Sequence, residues 1–259
     1  MKRLIIFALI SIGFSTPIFA QYNIQELGKT QQERMKYLRC IALAETDPLR
    51  AKEMAQNLKK DSDIEAANHC FGIALINLGQ HKEAASLLTF TAKNSKLRDP
   101  ELLANMFAQA ANAWMIAGSD SQAAELLDTA ITLAPREPEY FIDRAIALAG
   151  QSKYWDALDN LNEAISIEPE RVDALTFRAS AWRRVGSIEL AAQDIKEALR
   201  LQPDYPEALL ERGLINAIQG DQAAARSDWI KILRYNVSDP LNKAAKTNLQ
   251  KLKLSIRHK

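Results

Sequence analysis

The sequence predicts an all-α fold, a solenoid of stacked helix pairs, from two observations. Residues recur with a period of 34 along 104–237, and the apolar residues within each copy are three or four positions apart. This spacing is that of one face of an α-helix, and a fixed period of this length is typical of repeat arrays. The period is kept by alanines and prolines of successive copies: Ala123, Ala157, Ala191 and Ala225; Pro135, Pro169 and Pro203.

Four copies align when repeat positions are counted from Ala104, Pro138, Val172 and Pro206. Positions 4, 8 and 11 form the apolar face of a first helix, and positions 20, 24 and 27 form that of a second. Glycine at position 15 in three of the copies separates the two helices. Proline at position 32 cannot continue a helix, so it ends the copy. The fourth copy departs from the pattern, because it has Asn216 at position 11 and Val237 in place of proline.

This pattern resembles the tetratricopeptide repeat, which places large, small and aromatic residues on its first helix. In the family pattern, the second helix then carries alanine and a large apolar residue, and proline ends the repeat of 34 residues. Arginine at position 7 of three copies differs from the leucine of the family pattern. The resemblance implies a right-handed superhelical solenoid of stacked helix-turn-helix repeats, with a concave surface lined by the first helices.

Residues 1–20 have the layout of a secretory signal peptide. Lys2 and Arg3 precede an apolar run over 4–14, and the expected cleavage site follows Ala20. The alternative is an uncleaved anchor helix, but the run is short for a membrane span and Pro17 interrupts it. No other stretch is long and apolar enough to span a bilayer. We therefore expect an exported protein, either secreted or in a bacterial periplasm.

The repeat array is expected to occupy residues 31–237, after a flexible lead-in over 21–30. Asp-Pro pairs at 47–48 and 99–100 are helix start signals, with a capping residue followed by proline in the first turn. Two degenerate copies precede four regular ones, and a short insertion separates the two groups. The expected copies are 31–64 and 65–98, then 104–137, 138–171, 172–205 and 206–237.

Residues 238–259 are expected to form a capping helix and a basic tail, because an array needs a cover for its last apolar face. From Pro240 onward there are six Lys or Arg residues and no acid. Such a run can contact an anionic surface such as lipid or wall glycan. The favoured interpretation is a solvated outer face whose charges complement the helix dipole.

The two cysteines, Cys40 and Cys70, lie on first helices of neighbouring repeats at equivalent heights. Stacked first helices bring such positions within disulfide range, and an exported protein is in an oxidising compartment. The sequence therefore predicts a Cys40–Cys70 disulfide. The alternative is a pair of buried, reduced thiols.

Repeat positions 7 and 23 change together from copy to copy. Position 23 is Asp or Asn where position 7 is arginine, and it is Leu126 where position 7 is Ala110. This joint change predicts contacts across each helix pair, with an arginine ladder for anions as the alternative. The predicted contacts are the ion pairs Arg178–Asp194 and Arg212–Asp228 and the hydrogen bond Arg144–Asn160.

The sequence predicts no enzyme, no cofactor and no metal site. The three histidines, His69, His81 and His258, lack zinc-ligand spacing, and no phosphate-binding glycine loop occurs. A formal net charge of +1 does not give the basic surface of a nucleic-acid-binding protein.

The resemblance implies that positions 2, 5, 9, 12 and 13 of the first helices line a groove. This groove is apolar on either side of a polar centre, and the acids at position 2 (Glu139, Asp173 and Glu207) edge it. The expected groove residues are Asn112, Met115, Ile142, Ile146, Thr176, Ser180, Arg183, Arg184, Leu210 and Leu214. Such a groove suits an extended peptide or a partner helix. These residues could instead be ordinary surface, or be covered by the protein's own tail.

The expected function is that of an exported scaffold that binds another protein. One alternative is a structural or assembly subunit of an envelope complex, with no groove ligand. A weaker alternative is contact with wall glycan or anionic lipid through the basic tail. The sequence identifies neither the partner nor the oligomeric state.

Overall fold

The computed structural model describes residues 30–61, 64–235 and 237–257. Within these ranges every regular element is a helix and there is no strand, so the predicted all-α repeat fold is confirmed. The predicted signal peptide and the lead-in as far as residue 29 lie outside the described residues. The described chain divides into two compact units, with the boundary between Ala147 and Leu148.

The amino-terminal unit is built from consecutive helices, and within the first six each packs against its neighbours in sequence. Small buried residues such as Ala67, Ala84 and Ala123 allow the helix backbones to approach closely. Larger buried side chains, including Leu88 and Leu127, fill the space between the helices. The helices are α1 Gln31–Thr46, α2 Pro48–Asp61, α3 Ile64–Asn77, α4 His81–Lys93, α5 Pro100–Ile116, α6 Asp120–Leu133 and α7 Pro138–Gly150, the last of which crosses the unit boundary.

Side-chain caps define where α1 and α5 begin. The Thr30 hydroxyl accepts from the Glu33 backbone N–H, and the Glu33 carboxylate accepts from the Thr30 backbone N–H at 2.8 Å. Asp99 accepts from the backbone N–H groups of Glu101 and Leu102. Both side chains satisfy amides that have no partner within the helix, so they fix the first turn.

The carboxyl-terminal unit repeats the same packing and ends on a long helix. That last helix covers the outer face of the preceding pair, because Leu241, Ala245 and Leu252 join the buried cluster of Trp229 and Ile232. The helices of this unit are α8 Tyr154–Ile167, α9 Val172–Val185, α10 Ile188–Leu201, α11 Pro206–Gln219, α12 Gln222–Leu233 and α13 Asp239–Arg257.

The turn between the two helices of each regular copy has one residue in the left-handed region. Gly118, Gly186 and Gly220 have φ between 80° and 91°, and Ser152 adopts the same conformation with φ 64°. A side chain is disfavoured in this region, so the shared turn explains why three copies have glycine at position 15. The tertiary packing imposes this turn on Ser152 as well.

The outer face of α13 is cationic. Four lysines are exposed on this face: Lys243, Lys246, Lys251 and Lys253. Their exposure fits both a solvated outer face and an anion-binding surface. None of the described helices combines the length and the apolar composition that a bilayer span requires.

Candidate functional site

The first helices of the carboxyl-terminal unit, α9 and α11, carry six of the ten groove residues expected from the sequence. Thr176, Ser180 and Leu210 are buried. The Thr176 hydroxyl donates to the Val172 carbonyl one turn earlier, at 2.7 Å. These three side chains therefore support the packing of α9 and α11 and offer little accessible surface.

Arg183 of α9 is held by Glu211 of α11. The guanidinium donates through Nε to Oε1, and through Nη2 to Oε2 at 3.2 Å. Glu211 is buried, and burying a carboxylate is costly unless a cation and hydrogen bonds compensate its charge. Arg183 thus neutralises Glu211, a partner that the repeat pattern does not predict, and the Arg183 charge is not available to a ligand.

Arg184 is the exposed cation of this face. Its Nε donates to the Tyr154 hydroxyl at 3.0 Å, and its guanidinium carbon lies 4.9 Å from the centre of the Tyr154 ring. Burial raises the pKa of Tyr154, but hydrogen bonds with Arg184 and Ser152 and the charges of Arg184 and Arg183 outweigh it and lower that pKa. The contact orients Arg184 while leaving its charge in solvent.

An exposed isoleucine occupies the same repeat position on the next first helix. Position 13 is Arg184 on α9 and Ile218 on α11, and Ile218 is 56% exposed. Half-buried Leu214 lies one turn before it on α11. Ile218 is not among the groove residues expected from the sequence, although a comparison of position 13 between copies identifies it. The accessible face therefore combines one oriented cation with an apolar strip.

Acidic groups at position 2 border this face. Asp173 accepts from Arg171 Nε at 2.9 Å and from Arg171 Nη2 at 2.6 Å, so its charge is compensated locally. Burial raises the pKa of Glu207, and a hydrogen bond from its own backbone N–H opposes that increase. Arg184 therefore remains the accessible charge near the middle of the face.

The remaining expected groove residues lie in the amino-terminal unit. Ile142 and Ile146 are buried, whereas Met115 is half-buried. The side-chain oxygen of Asn112 is buried and has no hydrogen-bond partner among the described residues. Ile116, at position 13, is 40% exposed. Position 13 is thus exposed on first helices in both units.

The expected arginine–carboxylate contacts are present in the carboxyl-terminal unit. Arg178 donates through Nε and Nη2 to the two Asp194 oxygens at 2.8 and 2.7 Å. Arg212 contacts Asp228 in the same way at 2.9 and 2.6 Å. Both carboxylates are buried, so the pairs act as structural contacts within a helix pair. The Arg144–Asn160 hydrogen bond joins residues of different units and stays a prediction.

The structure contains the expected disulfide between Cys40 of α1 and Cys70 of α3, whose Cα atoms are 6.0 Å apart. Beside it, His69 is fully buried. The Tyr37 hydroxyl lies 2.7 Å from His69 Nδ1, and Gln109 Oε1 contacts His69 Nε2. Burial lowers the pKa of His69 to about 4 against the opposing effect of the Gln109 hydrogen bond. This network joins α1, α3 and α5 through neutral groups.

Among the described residues, no cluster of three or more His, Cys, Asp or Glu side chains could hold a metal ion.

Comparison with protein families gives one match. The sequence profile of the tetratricopeptide repeat family matches residues 142–206 and 183–240. No curated protein matches the chain significantly.

Solved structures share the fold at low sequence identity. MamA from Desulfovibrio magneticus RS-1 is 19% identical with a TM-score of 0.57, over 66% of this chain and 94% of that one. TTC0263, a tetratricopeptide repeat protein of Thermus thermophilus, is 21% identical with a TM-score of 0.58, over 72% and 99%. YrrB, a tetratricopeptide repeat protein described as having an unusual peptide-binding site, is 14% identical with a TM-score of 0.52, over 74% and 97%. The profile match thus places tetratricopeptide repeats within residues 142–240, and the chain shares the fold of these solved tetratricopeptide repeat proteins.

Proposed function

We propose that this protein is an exported interaction scaffold that binds an extended acidic peptide segment along the first helices of its carboxyl-terminal unit. The observation that carries the proposal is the geometry of Arg184. Its guanidinium is exposed but is oriented by Tyr154, so little conformational entropy is lost when it binds a carboxylate.

Apolar contact completes the proposed site. Ile218 and Leu214 provide an apolar strip on α11, and Arg184 lies at the equivalent position of α9. A peptide with one acidic residue and apolar residues on either side matches this surface. Arg183 stabilises the site indirectly, because it compensates the buried charge of Glu211 and so keeps α9 and α11 in register.

Two further observations support the proposal. YrrB, which has the same fold, is described as having a peptide-binding site. The Cys40–Cys70 disulfide is consistent with export, because disulfides persist in oxidising compartments. The layout of residues 1–20 is that of a secretory leader, which agrees with the same destination.

Selection from a random peptide library displayed on phage tests the proposal with the full chain beginning at Gln21. We expect selected peptides to share an acidic residue flanked by apolar ones. Arg184→Ala and Ile218→Ser should each weaken the binding of the selected peptides by about 5- to 150-fold, since a charged hydrogen bond or a buried aliphatic group contributes roughly 1–3 kcal/mol. Arg226→Ala is the matched control, because Arg226 is an exposed arginine on the second helix α12.

Two outcomes would contradict the proposal. Selected peptides that bind the Arg184→Ala and Ile218→Ser variants as tightly as the unmodified chain would place the site on another face. Failure to select any peptide would favour the alternative of a structural or assembly subunit without a groove ligand.

A further inference from the structure

In the regular repeats, position 25 of one copy gives an oxygen atom to the arginine at position 7 of the next. In the amino-terminal unit, Arg144 Nη2 lies 3.2 Å from Asp128 Oδ1. In the carboxyl-terminal unit, Arg178 Nη1 donates to Asn162 Oδ1 at 3.0 Å. Each arginine thus receives an acceptor from the preceding second helix, in addition to any partner within its own copy.

The junction between the third and fourth regular copies, 172–205 and 206–237, lacks this contact between positions 25 and 7. There, position 25 is Lys196 and position 7 is Arg212, so a second cation stands where Asp128 or Asn162 stands in the earlier junctions. Asp228 occupies Nε and Nη2 of Arg212. Lys196 is exposed and has no hydrogen bond or ion pair within the described part of the chain. Position 25 therefore provides no acceptor for Arg212 at this junction.

The same junction also lacks a large side chain. Position 11 is Trp114, Leu148 and Trp182 in the first three copies, and it is Asn216 in the fourth. At the junction between α8 and α9, Trp182 packs edge-on against Trp155, and the centres of the two ring systems are 5.9 Å apart. The smaller Asn216 lines a cavity of about 420 Å³ between α10 and α11, which is widely open to solvent.

This cavity has an apolar floor and a cationic rim. Ile195, Leu199 and Ile215 form the apolar part of the lining, and Lys196, Arg200 and Arg212 provide the charge. Arg200 donates through Nε and Nη2 to Glu197 on the surface, and Arg212 is compensated by Asp228, which leaves the Lys196 charge without a counter-ion. The volume lies in the range of small-molecule sites in proteins.

We propose that the cavity between α10 and α11 binds a small organic carboxylate with an apolar body. Its carboxylate accepts from Lys196 and Arg212, and so replaces the oxygen that Asp128 and Asn162 provide at the earlier junctions. Its apolar part lies on Ile195, Leu199 and Ile215. This site lies between the second helix α10 and the first helix α11, and its lining does not include Arg184, Leu214 or Ile218 of the proposed peptide site.

Isothermal titration calorimetry with octanoate on the full chain beginning at Gln21 tests this assignment. Octanol has the apolar body without the charge, and acetate has the charge without the body, so octanoate should bind at least about 10-fold more tightly than either. Lys196→Asn and Asn216→Trp should each weaken octanoate binding by at least about 10-fold, because the first removes the unpaired cation and the second fills the cavity.

Both substitutions introduce a residue that the chain already has at the equivalent position, Asn162 or Trp182, so the helix pair should still form. Lys251→Asn, which removes an exposed lysine of α13 outside the cavity lining, is the control and should leave octanoate binding unchanged. The assignment is overturned if the unmodified chain does not bind octanoate, if acetate binds equally well, or if folded Asn216→Trp retains full affinity.

Discussion

His69 is fully buried between Tyr37 and Gln109, and this burial makes the free energy of unfolding depend on pH. Gln109 donates its amide N–H to Asn105 at 2.6 Å, so its carbonyl oxygen faces His69 Nε2. Nε2 therefore carries the proton, and Nδ1 accepts from the Tyr37 hydroxyl at 2.7 Å. A second proton on the ring would remove this acceptor and place a charge in the core.

The His69 pKa is 6.5 in the unfolded reference and falls to about 4 in the folded protein. Between these values the unfolded chain binds more protons, so the contribution of His69 to stability is complete above pH 6.5 and is lost as the pH falls toward 4. The total loss should be about 3 kcal/mol. Urea unfolding from pH 7.5 to 4.5 should show a shallower pH dependence in His69→Gln, and an unchanged slope would contradict this assignment.

Ser152 has φ 64° in a turn where three other copies have glycine. Side chains cost roughly 1–2 kcal/mol in this region, and part of that strain is offset because glycine loses more entropy on folding. Ser152→Gly removes this strain but also removes the hydrogen bond between Ser152 and Tyr154, so it should raise the free energy of unfolding by less than about 1 kcal/mol in urea unfolding. Ser187→Gly is the control, because Ser187 has φ −85° and gains nothing from glycine. A destabilised Ser152→Gly variant would show that the strain is smaller than the entropy cost and the lost hydrogen bond together.

At the scale of the helix pair, Gly213 of α11 and Trp229 of α12 act as one packing unit. A Cβ on Gly213 would lie 2.8 Å from Trp229 Cε2, and the Trp229 indole N–H donates to the Leu210 carbonyl at 3.3 Å. Both residues are buried, so the Trp229 indole cannot move away without disturbing α11. In the third copy, the same two positions are Ala179 and Ile195.

Gly213→Ala should lower the free energy of unfolding by about 1–2 kcal/mol, because the overlap with the indole exceeds the gain in helix propensity. Trp229→Ile should be destabilising by itself, since it leaves a cavity. The double variant recreates the pair of the third copy, so it should be less destabilised than the sum of the single changes by at least about 1 kcal/mol in urea unfolding. Additive effects would show that the two positions are not coupled.

The helices were predictable because their causes are local in sequence. The helix pairs follow from three local signals, without knowledge of tertiary contacts. These are apolar residues at a 3.6-residue period, Asp-Pro pairs at helix starts, and the turn at position 15. The disulfide was also predictable, because first helices of neighbouring repeats place Cys40 beside Cys70. The accessible surface of the first helices was not predictable from the sequence. The repeat pattern does not specify how closely α9 and α11 approach. This distance determines that Thr176 and Leu210 are buried and that Arg183 forms an ion pair with Glu211.

At the scale of the whole molecule, stability should vary along the array, because each repeat contacts only its neighbours. The degenerate amino-terminal pair α1 and α2 has neighbours on one side only within the described chain, and the Cys40–Cys70 disulfide closes a loop with a sequence separation of 30. Loop-closure entropy predicts a stabilisation of about 3–4 kcal/mol, which acts against separation of α1 from α3.

Reduction of Cys40–Cys70 should therefore loosen one end of the protein and leave the rest intact. We expect amide hydrogen exchange in α1 and α2 to accelerate by about 100-fold or more, the ratio that corresponds to about 3 kcal/mol. Exchange in α9 to α12 should not change, because those helices pack around a separate buried cluster. A Cys40→Ser/Cys70→Ser variant should show the same pattern with or without reductant, which separates the loss of the bond from side effects of the reductant. Equal acceleration in α9 to α12 would instead mean that the chain unfolds as one cooperative unit, and unchanged exchange in α1 would mean that its packing against α3 is sufficient without the disulfide.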